Sequence, residues 1–127
     1  LDGVPKALPA LLKAQRLTEK AGSFGFDWPD AQAVLGKLHE EVAELEADVL
    51  AGRTDQARAE FGDVLFVMAN MARHLGIDAE AALQGANAKF VSRFRYVESR
   101  LREQGRAPSE ATLDEMDALW DEAKREE

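Results

Sequence analysis

Between Asp30 and Glu103 the helical pattern of this chain breaks only twice, at Gly52 and at Gly76. Apolar residues there recur every three or four positions, Ala, Leu, Glu, Lys and Arg dominate, and no long β-branched alternation occurs. That pattern leaves little room for a sheet and predicts a nearly all-α protein. Connections of only a few residues force consecutive helices to lie antiparallel, so the expected architecture is an antiparallel helical bundle.

The punctuation sets the boundaries. A first helix is expected from about Leu8 to Ala21, with Pro9 in its first turn and Gly22 at its end. The loop GSFGFDWPD follows, and its Phe24, Phe26 and Trp28 read as core plugs beneath a loop more readily than as a ligand platform. A second helix runs from about Asp30 to Leu50, and a third from Thr54 or Asp55 to Leu75. A fourth is capped by Asp78 and continues to about Glu103, breaking at the stretch Gly105 to Pro108. Thr112 with Glu115 makes a capping box for a short last helix.

With 127 residues the chain is long enough for one modest core, so residues 1–127 are read as a single domain. The 46% hydrophobic and 31% charged composition fits a soluble globular protein. No apolar run approaches the roughly 20 residues of a membrane span, and no secretory pattern opens the chain. Without cysteine there is neither a disulfide framework nor a thiolate zinc site, and a cytoplasmic location is the default. The net charge of −8 disfavours nucleic acid and anionic membrane as partners. A phosphate-bearing small molecule stays compatible if a cation lies between it and the acidic groups. The absence of an initial methionine leads us to expect a fragment or a processed chain.

On the second helix Val34, Leu38, Val42, Leu45 and Val49 form one apolar stripe, expected to face the core. Glu41 projects about 70° from its centre, Glu44 about 130° to the same side, and Glu40 almost opposite. On the third helix the stripe is Phe61, Val64, Leu65, Met68, Met71, Ala72 and Leu75. Glu60 lies about 70° and Asp63 about 130° from that centre, in the same rotational sense. Packed antiparallel, the two helices bring four oxygen-bearing side chains to one edge, with Asp48 near enough to join. The plainer reading is a solvated acidic face partly paired by Lys37 or Arg58. Against it, like charges at matched angles on adjacent helices oppose packing unless a cation intervenes.

Hard oxygen ligands without His or Cys suit Mg²⁺ or Mn²⁺. Neither His39 nor His74 follows a glutamate by three residues, as a bundle iron site would favour, so both are read as surface or satisfied residues. The fourth helix has Leu83, Phe90, Phe94, Val97 and Leu101 as its stripe and Lys89, Arg93 and Arg100 on one flank. That flank is either a solvated basic face or the partner of a polyphosphate. Asn87 stands on the other flank, facing a different neighbour or capping local backbone. Gly62, unfavourable within a helix by about 1 kcal/mol relative to Ala, implies a close approach of backbone or ligand, or tight helix packing.

Glu40-Glu41-Val42-Ala43-Glu44 followed by Glu60-Phe61-Gly62-Asp63 resembles the EExxE…ExxD signature of the MazG-type, all-α nucleoside triphosphate pyrophosphohydrolases. The similarity extends through GFDW (Gly25 to Trp28), NMARHLGI (Asn70 to Ile77) and NAKFVSRFRYVE (Asn87 to Glu98), and is specifically to the carboxy-terminal catalytic domain of that family. The resemblance implies Mg²⁺-dependent cleavage of a nucleoside triphosphate into monophosphate and pyrophosphate by a helical homodimer or higher homo-oligomer. It places metal ligands on Glu41, Glu44, Glu60 and Asp63 and phosphate contacts on Lys89 and Arg93. The same resemblance puts Trp120 near the nucleotide, and Asn87 joins the nucleotide-binding candidates. Gln56 stands where close relatives commonly carry a lysine. Water would attack one phosphorus of the α–β linkage while Mg²⁺ and the basic side chains neutralise developing charge. Glu40, projecting away, could act as a base only if the helix rotated or a second subunit approached. Two alternatives remain: a non-catalytic helical module that binds a divalent ion for assembly, and a narrower dUTP or damaged-nucleotide hydrolase of the same fold.

Overall fold

A computed structural model describes all residues from Leu1 to Glu127. Five α-helices follow one another with no strand: α1 (Ala10–Gly22), α2 (Ala31–Leu50), α3 (Thr54–His74), α4 (Ala79–Glu103) and α5 (Leu113–Arg125). A single 3₁₀ turn, Pro108–Glu110, occupies the expected break before α5. The predicted boundaries hold to within one or two residues because local chemistry fixes them. Asp30 Oδ1 accepts from Ala33 N at 2.9 Å, Asp78 Oδ1 from Ala81 N at 3.1 Å, and Thr112 Oγ1 from Glu115 N at 3.2 Å. Such caps are each worth about 1 kcal/mol. Gly52, Gly76 and Gly105 adopt φ near +70°, the left-handed conformation that terminates α2, α3 and α4.

The chain forms two compact units, Leu1–Ala82 and Leu83–Glu127. In the first, α2 and α3 are joined by three residues and pack against each other as an antiparallel hairpin, and α1 lies on α3. Its apolar core is Val34, Val67 and Met71, flanked by Ala31 and Leu38. Two polar side chains finish this unit. Buried Gln15 donates to Ile77 O at 2.8 Å and accepts from Ala79 N at 2.9 Å, holding the α3–α4 connection. Pro9 offers α1 no side-chain cap, and Glu80 supplies one by accepting from Leu11 N at 3.1 Å. In the second unit the last turns of α4 meet α5 around Val97, Leu101 and Ala123. Tyr96 and Arg100 both bond Glu122 across that pair.

Three expectations are corrected. First, the apolar stripes are not covered along their length: Val42 is 43% exposed, Val49 60%, Phe61 57% and Met68 46%. Leu65, Leu75, Leu83 and Phe90 are exposed as well. The seam between α2 and α3 is narrower than the apolar surface they carry. Second, Phe24 and Phe26 are not core plugs, at 74% and 83% exposure, and Trp28 is 40% exposed. Their loop is held by Asp27 instead, whose Oδ1 takes Arg73 at 2.6 Å and His74 at 2.9 Å. His74 is thus a satisfied residue, and His39 lies on the surface. Third, Gly62 makes no close approach within the chain, since a methyl group there would meet nothing within 4 Å.

Candidate functional site

One series of buried and half-buried positions on the hairpin repeats at alternating steps of four and three, beside the buried Ala69, Asn70 and Ala72 of α3. On α2 they are Val34, Leu38, Glu41, Leu45 and Asp48, and on α3 Glu60, Val64, Val67 and Met71. That spacing is a packing seam of the kind that normally takes apolar side chains. The true seam is therefore rotated toward the carboxylates from the stripes predicted above, which moves Glu41 and Glu60 from its flank into it. Glu41 is only 7% exposed. Two glutamates sit where a core would put leucine.

One carboxylate oxygen from each of Glu41, Glu60 and Asp63 lies within 4.8 Å of the others. Glu41 has a cation already, Lys37 Nζ at 2.9 Å, one turn earlier on α2. This lysine, which also reaches Glu40 at 3.6 Å, holds the Glu41 carboxyl below the usual range. Glu60 has no such relief. Its Oε2 is buried and takes no hydrogen bond from an N–H or hydroxyl, and a proton shared with the facing Glu41 carboxyl, then burial, then contact with and repulsion from Glu44 push the group up to about 7. Glu44 is exposed and outside the group of three, yet close enough to Glu60 to contribute that repulsion. Glu40 is solvated, as its projection required. Asp48 does not join the group, because Arg53 in the turn takes its Oδ1 at 2.8 Å. Arg58 pairs with Asp55 rather than with these acids.

In the second unit the basic flank of α4 is divided. Arg100 is bound to Glu103 and Glu122 and so serves the α4–α5 contact. Arg93 donates through Nε to Glu127 Oε1 at 2.7 Å and through Nη2 to Oε2 at 2.9 Å. Its guanidinium also lies over Trp120, 5.7 Å from the ring centroid, and Trp120 packs on Phe90 at 5.2 Å. Phe90, Phe94, Val97, Leu113, Met116 and Trp120 line an open cavity of about 330 Å³ beside this pair. Lys89 and Asn87 are exposed on α4. Glu127 was missed in the sequence, and nothing local could have found it, since it meets Arg93 across 34 positions.

An all-α chain with acidic residues drawn into a helical seam defines a class, and sequence comparison places this one within it. Residues 30–97 match the MazG nucleotide pyrophosphohydrolase domain, and the chain belongs to that family. It is 41% identical over its whole length to a nucleoside triphosphate pyrophosphohydrolase of Escherichia coli, covering 49% of that protein. Over 92% of its length it is 38% identical to the nucleoside triphosphate pyrophosphohydrolase/pyrophosphatase MazG of Thermotoga maritima, covering 45% of it. A Bacillus subtilis protein, YabN, is 44% identical over 26% of its own length. The chain thus spans about half the length of the pyrophosphohydrolases it matches. No helix is long and apolar enough to cross a membrane.

Proposed function

We propose that residues 1–127 act as one catalytic domain that hydrolyses nucleoside triphosphates to monophosphate and pyrophosphate with Mg²⁺, in the cytoplasmic nucleotide pool. The observation that carries this reading is the buried, unpartnered Glu60 oxygen beside Glu41 and Asp63. A helical seam has no packing use for it. An all-carboxylate, hard-oxygen donor set fits Mg²⁺, with Mn²⁺ as the other candidate, and does not fit a soft metal. The relatives named as pyrophosphohydrolases support the reaction class.

In this reading Glu41, Glu60 and Asp63 hold the ion, and Glu44, next to Glu60, completes the acidic set. When bound, the ion neutralises the crowded carboxylates and offsets charge developing on the phosphate oxygens during hydrolysis. Lys37 orients Glu41 through its 2.9 Å contact and limits the repulsion in the free site. Lys89 and Arg93 are assigned to the phosphates, where a point charge and a planar fork complement each other. Asn87 and Trp120 are assigned to the nucleoside. Glu40, pointing into solvent, is given no role in catalysis.

The uncovered faces of α2 and α3, with Val42, Val49, Phe61 and Met68 exposed, support a homodimer or a larger homo-oligomer. Sedimentation should find no monodisperse monomer at micromolar concentration, and finding one would contradict the assembly. The reaction is tested with a panel of nucleotides and Mg²⁺, reading pyrophosphate and monophosphate together. Equimolar release of both supports the assignment, and hydrolysis of only one member would make the enzyme a narrow dUTP or damaged-nucleotide hydrolase. Ion binding with no release from any nucleotide would instead leave a divalent-ion-binding assembly module.

A further inference from the structure

Lys37 stands four residues before Glu41 on α2, with Nζ 2.9 Å from the Glu41 Oε1. A lysine ahead of a glutamate is the less favourable order for such a pair along a helix, so helix preference explains little of the contact. Burial explains more. Glu41 is 7% exposed in the α2–α3 seam, where a carboxylate needs a cation beside it. The Lys37 side chain is 37% exposed, and its ammonium also lies 3.6 Å from Glu40, whose side chain is 69% exposed. Of the buried pair, only the lysine can therefore leave without disturbing the seam. Its stem is flexible and its ammonium hydrates strongly, and Glu40 offers it a second carboxylate at the solvated rim.

We propose that Lys37 is a built-in competitor of the divalent ion: its ammonium holds Glu41 in the free protein and turns out toward Glu40 and solvent when an ion takes that carboxylate. This rests on the assignment of the ion to Glu41, Glu60 and Asp63 given above, and it adds a residue that sets how tightly the ion is held. One contact then has two effects of opposite sign. Removing the ammonium destabilises the free hairpin and strengthens ion binding, whereas loss of a plain surface pair would do neither.

The test is Mn²⁺ binding to the full chain, followed by the EPR signal of the free ion, beside melting temperature in chelator. Lys37→Met keeps an unbranched stem and drops the charge. It should bind Mn²⁺ roughly three- to tenfold more tightly and melt in chelator roughly 2–5 °C below wild type. Lys37→Arg keeps a cation in place and should stay close to wild type in both. Lys37→Gln, which retains a donor without the charge, carries the same affinity test should Lys37→Met not fold in chelator. Arg58→Gln removes a cation two residues before Glu60 that is 78% exposed and paired with Asp55, so Mn²⁺ affinity should stay within about twofold. Unchanged or weaker Mn²⁺ binding in the folded, uncharged Lys37 variants would overturn the proposal. So would equal tightening in Arg58→Gln or in Lys37→Arg. Wild-type protein that binds no Mn²⁺ would overturn the metal assignment, and this proposal with it. The expected Mn²⁺ behaviour in a protein that cleaves no nucleotide would leave the proposal standing and refute only the enzymatic reading.

Discussion

The acidic seam of the first unit and the basic flank of the second handle charge in opposite ways. On the α2–α3 hairpin one of two crowded glutamates has a lysine, and the other keeps a buried oxygen with no partner. On α4 and α5 the arginine is answered within its own unit by a carboxylate in good geometry. The first region is only half compensated, with Lys37 on Glu41 and no cation on Glu60. The second is compensated and must give up a contact before it can take an anion. The difference teaches where the free protein carries unrelieved like charge: in the acidic seam, and not in the basic flank.

The largest effect should come from the seam. Under the proposed metal role, Glu41→Gln, Glu60→Gln and Asp63→Asn keep size and remove one carboxylate charge, so each should lower Mg²⁺-dependent pyrophosphate release by on the order of 100-fold or more. Disturbing residues that merely orient metal ligands already costs roughly 10- to 100-fold. In chelator Glu60→Gln and Asp63→Asn should melt at the wild-type temperature or above it, because repulsion is relieved, whereas Glu41→Gln also gives up the 2.9 Å contact with Lys37 and should gain less. Lost turnover with a falling melting temperature in chelator would mean that these acids support the fold, and the contrast between the two regions would collapse.

Arg93→Ala should act the other way round. Nucleotide affinity should drop by roughly tenfold, the scale of a lost charge-assisted contact, with divalent-ion affinity unchanged or slightly improved. Titrations of Mn²⁺ and of nucleotide on the same variant separate the two. Equal loss of both, with helicity intact, would show that Arg93 serves the structure through Glu127 and Trp120.

A smaller effect is expected in the pH dependence of the metal-free protein. Glu60 is raised from 4.5 to about 7 in the folded state, so between those values the folded form holds a proton that the unfolded form has released. Stability from this group therefore falls as pH rises through that window and levels off above about 7. Asp27, Glu41, Glu115 and Glu127 are lowered, so their contribution is present above the ordinary carboxyl range and is lost as pH falls below it. Subtracting the melting curves of Glu60→Gln from those of wild type in chelator isolates the first slope. A flat difference between pH 4.5 and 7 would mean that Glu60 feels no uncompensated charge.

Helix ends were legible because each is settled within a few residues: Asp30, Asp78 and Thr112 cap, and Gly52, Gly76 and Gly105 terminate. The meeting of Glu41 with Glu60 and Asp63 was legible for a similar reason, since a three-residue turn between two long helices fixes which rungs face each other. What failed was anything requiring a distant partner or a second surface. The rotation of the seam was misread because Val42, Phe61 and Met68 are apolar at helical spacing and yet uncovered. Phe24 and Phe26 were misplaced because an ion cluster joining Asp27 to Arg73 and to His74, the latter 47 positions away, sets their loop. Asp48 was lost to Arg53, a turn residue whose reach no helical projection includes.

Glu40 provides the finest test of the contrast, and the smallest expected change. It is adjacent in sequence to Glu41, carries the same charge and shares Lys37, but its side chain is 69% exposed and its lysine contact is 3.6 Å against 2.9 Å for Glu41. Solvent screens an acid in that position, so Glu40→Gln should move the melting temperature in chelator by no more than about 1–2 °C. Freed of one competitor, Lys37 would pair with Glu41 alone, which leaves the seam charge as it was. Pyrophosphate release with Mg²⁺ should therefore stay within about twofold of wild type, the scale expected for a screened charge. Measured beside Glu41→Gln, this variant separates position in the seam from charge alone. If Glu40→Gln abolishes turnover while Glu41→Gln and Glu60→Gln stay active, the working face of α2 is the solvated one and the seam has been assigned the wrong role.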